Sequence, residues 1–204
     1  MAGCPGRSEY SVSNRRSFGV AVDSTKIYFT VDDSTANNGG IWSCTQAGCG
    51  AAPRLVQRTN PRFVTANDTS VAWFEGAAGS GVHQQAGSLS LGGQTGVVSV
   101  AYGAGTNLFF AKSSSVWHGT GVQTPEQIAE GTNVVAVRAD ASHVYWLNGG
   151  ASGQLVRCPV GTDCLITPPD VLASNLMNPG GLTLSNDSIY FTTRGDQKVW
   201  RLRK

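Results

Sequence analysis

Four of the five cysteines form two local pairs that could either bind a metal or form disulfides. Cys44 and Cys49 lie in the segment SCTQAGC, and Cys158 and Cys164 lie in RCPVGTDC. A structural zinc site needs four ligands with spacing close to Cys-x-x-Cys, which neither pair has. The spacing therefore favours two disulfides, Cys44–Cys49 and Cys158–Cys164. Because disulfides persist in oxidising compartments, they predict an extracellular, periplasmic or cell-surface protein.

Other residue types that perform catalysis or bind metals are few and scattered. His83, His118 and His143 lie far apart in the chain, without a Ser-His-Asp order, paired carboxylates or a phosphate-binding glycine loop. Acidic and amide side chains in residues 32–38 could bind Ca²⁺, but their spacing matches no standard calcium loop. We therefore expect no catalytic residue, no metal site and no cofactor.

Five short apolar segments recur along the chain, each with an aromatic residue two positions after its first apolar residue. The steps between them are 44, 37, 36 and 45 residues. Such short apolar runs between Gly, Asn, Asp and Ser clusters are typical of β-strands. We expect the repeated aromatic residues to be buried between neighbouring sheets. The segments are KIYFT (26–30), SVAWF (70–74), NLFFA (107–111), HVYWL (143–147) and SIYFT (188–192), and the aromatic residues are Phe29, Trp73, Phe110, Trp146 and Phe191.

Each of these segments is one strand of a larger repeating unit. A tight turn rich in Asp, Asn, Ser or Gly joins it to a preceding strand, and a third and often a fourth strand follow. Four antiparallel strands repeated about every forty residues predict an all-β, five-bladed β-propeller. A β-sandwich or an open array is the alternative, although neither needs five equivalent units.

The predicted propeller is one domain that fills the chain. Its blades are residues 18–59, 62–96, 97–131, 134–175 and 180–204. The last blade has three strands, so we expect residues 8–13 to supply its outer strand and to close the ring, which would otherwise leave a free sheet edge. The N-terminal sequence MAGCPGRSEYSVS indeed resembles the internal segment QAGCGAAPRLVQR. In the second blade, residues 76–88 are predicted to be a glycine-rich insertion, residues 86–92 the third strand, and residues 93–96 a poor fourth strand.

Charge and hydropathy exclude two classes of partner. The formal net charge is +2 and is spread evenly along the chain, which argues against nucleic acids and anionic membranes as partners. No apolar run approaches the roughly 20 residues that a membrane-spanning helix needs.

The best copies of the repeat are DASHVYWLN (140–148) with GQLVR (153–157), and NDSIYFT (186–192). They resemble the repeats of bacterial extracellular propellers, which are distantly similar to the YWTD propellers of lipoprotein receptors and to NHL propellers. The resemblance extends over nearly the whole chain and is weakest in the third blade. It implies the fold and a surface location. No unit here ends in the Asp of the Tyr-Trp-Thr-Asp motif, and the predicted count of five blades departs from that family's usual count.

A candidate ligand-binding face follows from the predicted topology. Linkers between blades and turns between second and third strands lie on the same face of a propeller, and here they carry arginines, amides and a histidine. Such residues suit a polar or anionic ligand, such as a saccharide or a short peptide, although they could also be ordinary turn residues. The candidates are Arg15, Arg16, Asn60, Arg62, His83, Asn133, Asn148, Asn178 and Arg194.

The sequence leaves three functions open. We favour a non-catalytic extracellular binding module for a saccharide, a peptide or a partner protein. The chain could instead be a structural subunit of a surface or secreted assembly, or a propeller lyase or hydrolase. It is expected to be a monomer or an assembly subunit.

The fifth cysteine provides a direct test of the repeat. Cys4 aligns with Cys49, and Leu202 lies where the partner of Cys4 would be by analogy with Cys44. Cys4 is therefore predicted to be a free thiol, available for a bond to another chain. Titration of thiols in the denatured, unreduced protein should give one per chain. A count of zero or five would contradict the assignment.

Overall fold

The computed structural model describes residues 16–32, 39–46, 54–58, 60–76, 81–85, 90–92 (backbone), 94–120 and 124–204. These residues form nineteen strands and no helix, and the strands are arranged in five separate antiparallel sheets. Four of these sheets contain four strands in sequential order, and the fifth contains three. The all-β prediction is confirmed.

Each sheet is a meander of consecutive strands. The first contains β1 (Val20–Val22), β2 (Lys26–Val31), β3 (Gly40–Thr45) and β4 (Arg54–Gln57). The second contains β5 (Pro61–Asn67), β6 (Ser70–Glu75), β7 (Gly81–Gln84) and β8 (Ser90–Gly92). The third contains β9 (Val97–Tyr102), β10 (Asn107–Lys112), β11 (Ser115–Thr120) and β12 (Glu126–Glu130). The fourth contains β13 (Val134–Ala139), β14 (His143–Asn148), β15 (Gly153–Pro159) and β16 (Asp170–Leu176), and the fifth contains β17 (Pro179–Leu184), β18 (Ser188–Thr193) and β19 (Lys198–Arg203).

Consecutive sheets pack on each other through the apolar side chains of their first and second strands. The first strands β1, β5, β9, β13 and β17 contact one another in chain order. One buried cluster, which includes Phe109, Val137 and Trp146, joins the third sheet to the fourth. The five repeated aromatic residues are all buried, as predicted, and the most exposed of them, Phe29, is 9% exposed. Burial of such large side chains is a major stabilising contribution in a sheet protein.

The buried aromatic residue of each second strand also faces a large side chain on the third strand. Phe110 stacks on Trp117 with ring centroids 6.1 Å apart, and Phe191 stacks on Trp200 at 6.3 Å. Facing pairs of this kind stabilise antiparallel strands and define their register. The registered pairs are Phe29 with Trp42, Trp73 with His83, Phe110 with Trp117, Trp146 with Val156, and Phe191 with Trp200.

The prediction for the outer half of the second sheet is wrong. Residues 81–84 belong to the third strand, β7, instead of a glycine-rich insertion, and residues 90–92 form the fourth strand instead of the third. The segment GVHQ lacks a clear alternation of apolar residues, so its sequence gives little strand signal. Its pairing depends on contacts with β6: His83 stacks on Trp73 at 5.7 Å, and Gln84 donates a hydrogen bond to Ser70 Oγ at 3.0 Å.

The disulfide Cys158–Cys164 is confirmed, with the two Cα atoms 6.2 Å apart. Cys44 is also disulfide-bonded. Its predicted partner Cys49, and Cys4, lie outside the described residues, so the pairing Cys44–Cys49 and the free thiol stay predictions. Among the residues that the structure describes, no helix has the length and apolar composition needed to cross a membrane.

A carboxylate closes the turn between the first and second strands of the fourth sheet. Asp140 Oδ1 accepts hydrogen bonds at 2.9 Å from the backbone N–H groups of residues 142 and 143. Tyr145 donates its hydroxyl to Asp140 Oδ2 at 3.2 Å, and Lys204 Nζ lies 2.8 Å from the same oxygen. In the first sheet, Asp23 closes the corresponding turn in the same way and accepts a hydrogen bond from Tyr28 at 2.6 Å.

These contacts shift the pKa values of both partners. Burial opposes ionisation of Asp140, but the hydrogen bonds from Lys204 and from the turn backbone outweigh it and hold the pKa of Asp140 well below its ordinary value. Burial and the nearby Asp140 carboxylate raise the pKa of Tyr145 to about 12. The turn is therefore stabilised by the ionised form of Asp140 and the neutral form of Tyr145.

Replacing Asp140 by Asn should make the protein less stable at neutral pH by about 1–2 kcal/mol, because charge-assisted hydrogen bonds are lost. The carboxylate contribution is complete above its ordinary pKa of about 3.9 and is lost as the pH falls through the lowered folded-state pKa. The difference between wild type and Asp140→Asn, measured by urea unfolding, should therefore shrink at acid pH. The control Asp170→Asn removes an exposed ion pair with Arg157 and should cost less than about 1 kcal/mol. A constant difference from pH 7 to pH 3 would contradict the role assigned to the Asp140 charge.

Candidate functional site

A cavity of about 310 Å³ lies where the first strands of the five sheets meet. Because every sheet contributes to its wall, this central cavity lies at the common inner edge of the sheets. Its lining side chains are mostly apolar, polar atoms of the backbone and of Ser99 and Arg138 form nearly half of the wall, and the Arg138 guanidinium is its charged component. The lining residues are Phe18–Val20 next to and on β1, Phe63–Val64 on β5, Val98–Val100 on β9, Val135, Ala136 and Arg138 on β13, and Gly180–Leu182 on β17.

One end of the cavity is surrounded by the linkers that connect successive sheets. Three of these linkers are each tied by a backbone hydrogen bond to the residue that follows a second strand. Gly76 N donates to Asn60 O at 3.1 Å, Gly149 N donates to Asn133 O at 2.9 Å, and Arg194 N donates to Asn178 O at 3.0 Å. We call the surface formed by these linkers and second-strand ends the loop face. It is the face on which the sequence analysis placed the candidate residues.

The predicted amide residues of the loop face have structural roles in its turns. Asn133 and Asn178 adopt left-handed backbone conformations, with φ values of 49° and 50°, which Asn tolerates better than most residues. Asn148 Oδ1 accepts a hydrogen bond from Thr132 N at 3.0 Å, and the Asn60 side chain donates to Gly76 O. These four amides are therefore occupied in shaping the loop face.

The arginines are the candidates that remain available to a ligand. Arg62 stacks its guanidinium 4.1 Å above the Phe18 ring and lies 3.9 Å from Asp32 Oδ2. Phe18 itself is 43% exposed. Arg194 is exposed. Its side chain also packs against Gly180 of the cavity wall, where an added Cβ atom would lie 2.9 Å from Arg194 Nε.

Arg16 is exposed on the same face, where its carbonyl oxygen accepts a hydrogen bond from Asp32 N at 2.8 Å. Within the described part of the chain, neither Arg16 nor Arg194 has an acidic side chain within ion-pair distance. Arg15 lies outside the described residues. Among the described arginines of the loop face, Arg16 and Arg194 have no acidic partner, Arg62 lies near Asp32, and Arg58 is paired with Glu75 at the end of β6.

His83, on β7, belongs to a partly buried cluster that also contains Trp73, Glu75 and Arg58. Glu75 Oε1 accepts a hydrogen bond from Trp73 Nε1 at 3.1 Å. Glu75 Oε1 also forms an ion pair at 2.6 Å with Arg58 Nε, although the Arg58 N–H is not aligned for a hydrogen bond. Glu75 Oε2 lies 3.7 Å from His83 Nε2. The sequence analysis missed the central position of Glu75, because its partners Arg58 and His83 come from the linker after β4 and from β7, and only Trp73 is on its own strand.

Arg138 is a second residue that the sequence analysis missed, although a charge within the apolar strand VVAVRA is a detectable signal. Its Nη1 group donates to Val137 O at 2.7 Å and to Ser99 Oγ at 3.5 Å. Burial lowers the pKa of Arg138, since removal from water disfavours the charged form.

Metal binding finds no support in the described residues, which contain no group of three or more His, Cys, Asp or Glu side chains placed to hold an ion. Asp33 to Asn38, most of the segment considered for calcium, lie outside the described residues.

Comparison with known proteins identifies the fold class. No protein-family model and no curated protein matches the chain. The fold is similar to a chain of a crystallised nidogen/laminin complex, with a TM-score of 0.66 and 14% identity over 95% of this chain and 78% of the other. It is also similar to the WD40 β-propeller domain of Doa1, with a TM-score of 0.55 and 11% identity over 91% and 69%. Human WBSCR16 gives a TM-score of 0.64 and 11% identity over 93% and 62%. The chain thus has the repeat fold of a β-propeller.

Replacing Glu75 by Ala should lower the free energy of unfolding by roughly 1.5–3 kcal/mol, because the acceptor of the Trp73 indole N–H and the counter-charge of Arg58 are removed together. Glu126→Ala is a matched control, since Glu126 also lies beside a histidine, His118, but its side chain is 72% exposed. The control should lose less than about 1 kcal/mol. Equal losses in urea unfolding would show that the Glu75 cluster contributes no more than a surface contact.

Proposed function

We propose that this chain is a non-catalytic binding module whose loop face recognises an anionic group on a saccharide, a peptide or a partner protein. The observation that carries the proposal is the set of arginines Arg16, Arg62 and Arg194 around one end of the central cavity. Guanidinium groups bind carboxylates, sulfates and phosphates with paired hydrogen bonds. Arginines without an acidic partner, as Arg16 and Arg194 are among the described residues, keep these donors for a ligand.

An aromatic surface supports the same proposal. Phe18 is partly exposed beneath the guanidinium of Arg62, so the pair offers a flat apolar face next to a positive charge. Such a combination suits the ring of an acidic sugar or a peptide side chain next to a carboxylate. Protein partners fit the fold as well, since a similar propeller chain was crystallised in a nidogen/laminin complex.

We further propose that the whole chain is one five-bladed ring closed by its own N-terminal segment. Five sheets contribute to one cavity, which supports five blades around one axis. On β19, Val199 is 76% exposed and Trp200 is 39% exposed. A sheet edge that exposes large apolar side chains favours a covering strand, and residues 8–13 are the segment that the repeat supplies. The proposed blade boundaries are those of the repeat.

An extracellular location is part of the same proposal. The disulfide Cys158–Cys164 supports it, since disulfides are rare in reducing compartments. The alternative locations, the periplasm and the cell surface, share the oxidising condition on which the argument depends.

The first experiment is a screen of the unreduced protein against an array of acidic and neutral glycans and against acidic peptides. We expect selective binding to acidic members, and binding that weakens with added salt. Replacing Arg194 by Ala should lower affinity roughly 10-fold, the loss expected for one charge-assisted contact. The control Arg203→Ala removes an exposed arginine from the opposite end of the fifth sheet and should leave affinity unchanged. Binding that is indifferent to ligand charge, or equal losses in both variants, would overturn the proposal.

A further inference from the structure

The guanidinium of Arg138 lies in the wall of the central cavity without an acidic partner. No carboxylate in the described part of the chain is within ion-pair distance of it. A charge removed from water is costly unless a counter-charge or a full set of hydrogen bonds compensates. The two neutral acceptors of Arg138, Val137 O and Ser99 Oγ, both contact Nη1. Among the described residues, the protein therefore supplies no counter-charge for this guanidinium and no acceptor for its Nε and Nη2 groups, which leaves solvent as their partner.

The unused donors of Arg138 form one edge of the guanidinium plane. Nε and Nη2 have no acceptor among the described residues, and neither is a fully buried unpartnered atom, so both have solvent access. Nε–H and Nη2–H are parallel and match the two oxygens of a carboxylate, which is the bidentate geometry that arginine favours. This edge is where a ligand oxyanion would bind.

The rest of the wall determines what else the ligand must contain. Apart from Arg138 and Ser99, the cavity is lined by glycine backbone and by apolar side chains such as Val64, Val100, Val135 and Leu182. A volume of about 310 Å³ lies at the lower end of the range of small-molecule sites. A strongly hydrated ion without an apolar part, such as phosphate, would lose its water and gain few contacts from this wall.

We propose that the central cavity is a binding site for a small carboxylate with an apolar body, held by the Nε–Nη2 edge of Arg138. The carboxylate neutralises the guanidinium, and the hydrocarbon part of the ligand contacts the valine and leucine side chains of the first strands. Phe18 borders both this site and the loop face, but Arg138 lies near the end of β13 that is remote from the linkers, so the site uses a different charged group and does not depend on the function proposed for the loop face.

Calorimetric titration with hexanoate tests the proposal, with 1-hexanol as the neutral ligand and inorganic phosphate as the anion without an apolar part. Wild-type protein should bind hexanoate, and should bind it at least about 10-fold more tightly than either comparison ligand. In amide spectra, hexanoate should shift the resonances of Ser99 and Gly181, which line the cavity. Hexanoate binding no tighter than that of hexanol or phosphate would overturn the proposal without the need for any variant.

Arg138→Met keeps a long apolar side chain but removes the guanidinium, and it should weaken hexanoate binding roughly 10- to 100-fold. Arg138→Lys keeps the charge without the paired donors and should give an intermediate loss, which also covers the case in which the Met variant does not fold. The control Arg157→Met removes a partly exposed arginine of the same sheet, which pairs with Asp170 away from the cavity wall, and it should bind like wild type. Undiminished binding in a folded Arg138 variant would overturn the assignment.

The cavity site and the loop-face function can be refuted independently of each other. Arg138→Met should bind the anionic ligand of the loop face as wild type does, whereas Arg194→Ala is the variant that tests that face. Loss of hexanoate binding with an intact loop-face affinity is the expected pattern. Loss of both in Arg138→Met, with the folded state confirmed by circular dichroism, would contradict a separate cavity site.

Discussion

A single four-stranded sheet cannot bury both of its faces, and this constraint governs the whole arrangement of the protein. Each second strand carries an aromatic side chain that becomes buried when a neighbouring sheet packs against it, as Trp146 does between the third and fourth sheets. The sheets must therefore pack in chain order, and their first strands converge on a common inner edge. The central cavity and the loop face around its mouth are consequences of this convergence.

The two ends of the sheets use polar groups in different ways. At the turns between first and second strands, Asp23 and Asp140 are fully engaged with backbone N–H groups and a tyrosine hydroxyl, so the charge there stabilises the fold. At the loop face, amides and backbone groups close the linkers, and the arginines are left exposed. This division leaves Arg16 and Arg194 at the surface as the groups with unused binding capacity. It is the physical reason for placing a ligand on the loop face.

The candidate site was predictable in location but not in the roles of its residues. The repeat placed Asn133, Asn178 and Arg194 on one face, and the structure brings them to that face. The repeat alone could not distinguish an amide that closes a turn from an arginine without an acidic partner. This distinction depends on φ angles and on hydrogen bonds between linkers and strand ends. His83 shows the same limit, since its stacking on Trp73 is a contact between strands.

Local pattern alone determined most of the strands, the forty-residue period, the burial of the repeated aromatic residues and the disulfide Cys158–Cys164. Those features depend on residues close together in the chain, through alternation, turn chemistry and short loop closure. The tertiary structure decided the pairing of β7, the partners of Glu75 and the absence, among the described residues, of a counter-charge for Arg138. Each of these depends on which side chains meet across different sheets or strands, and no local pattern encodes the solvent exposure and counter-charges that result. The chemistry of the central cavity arises in this way, since residues from five distant strands build its wall.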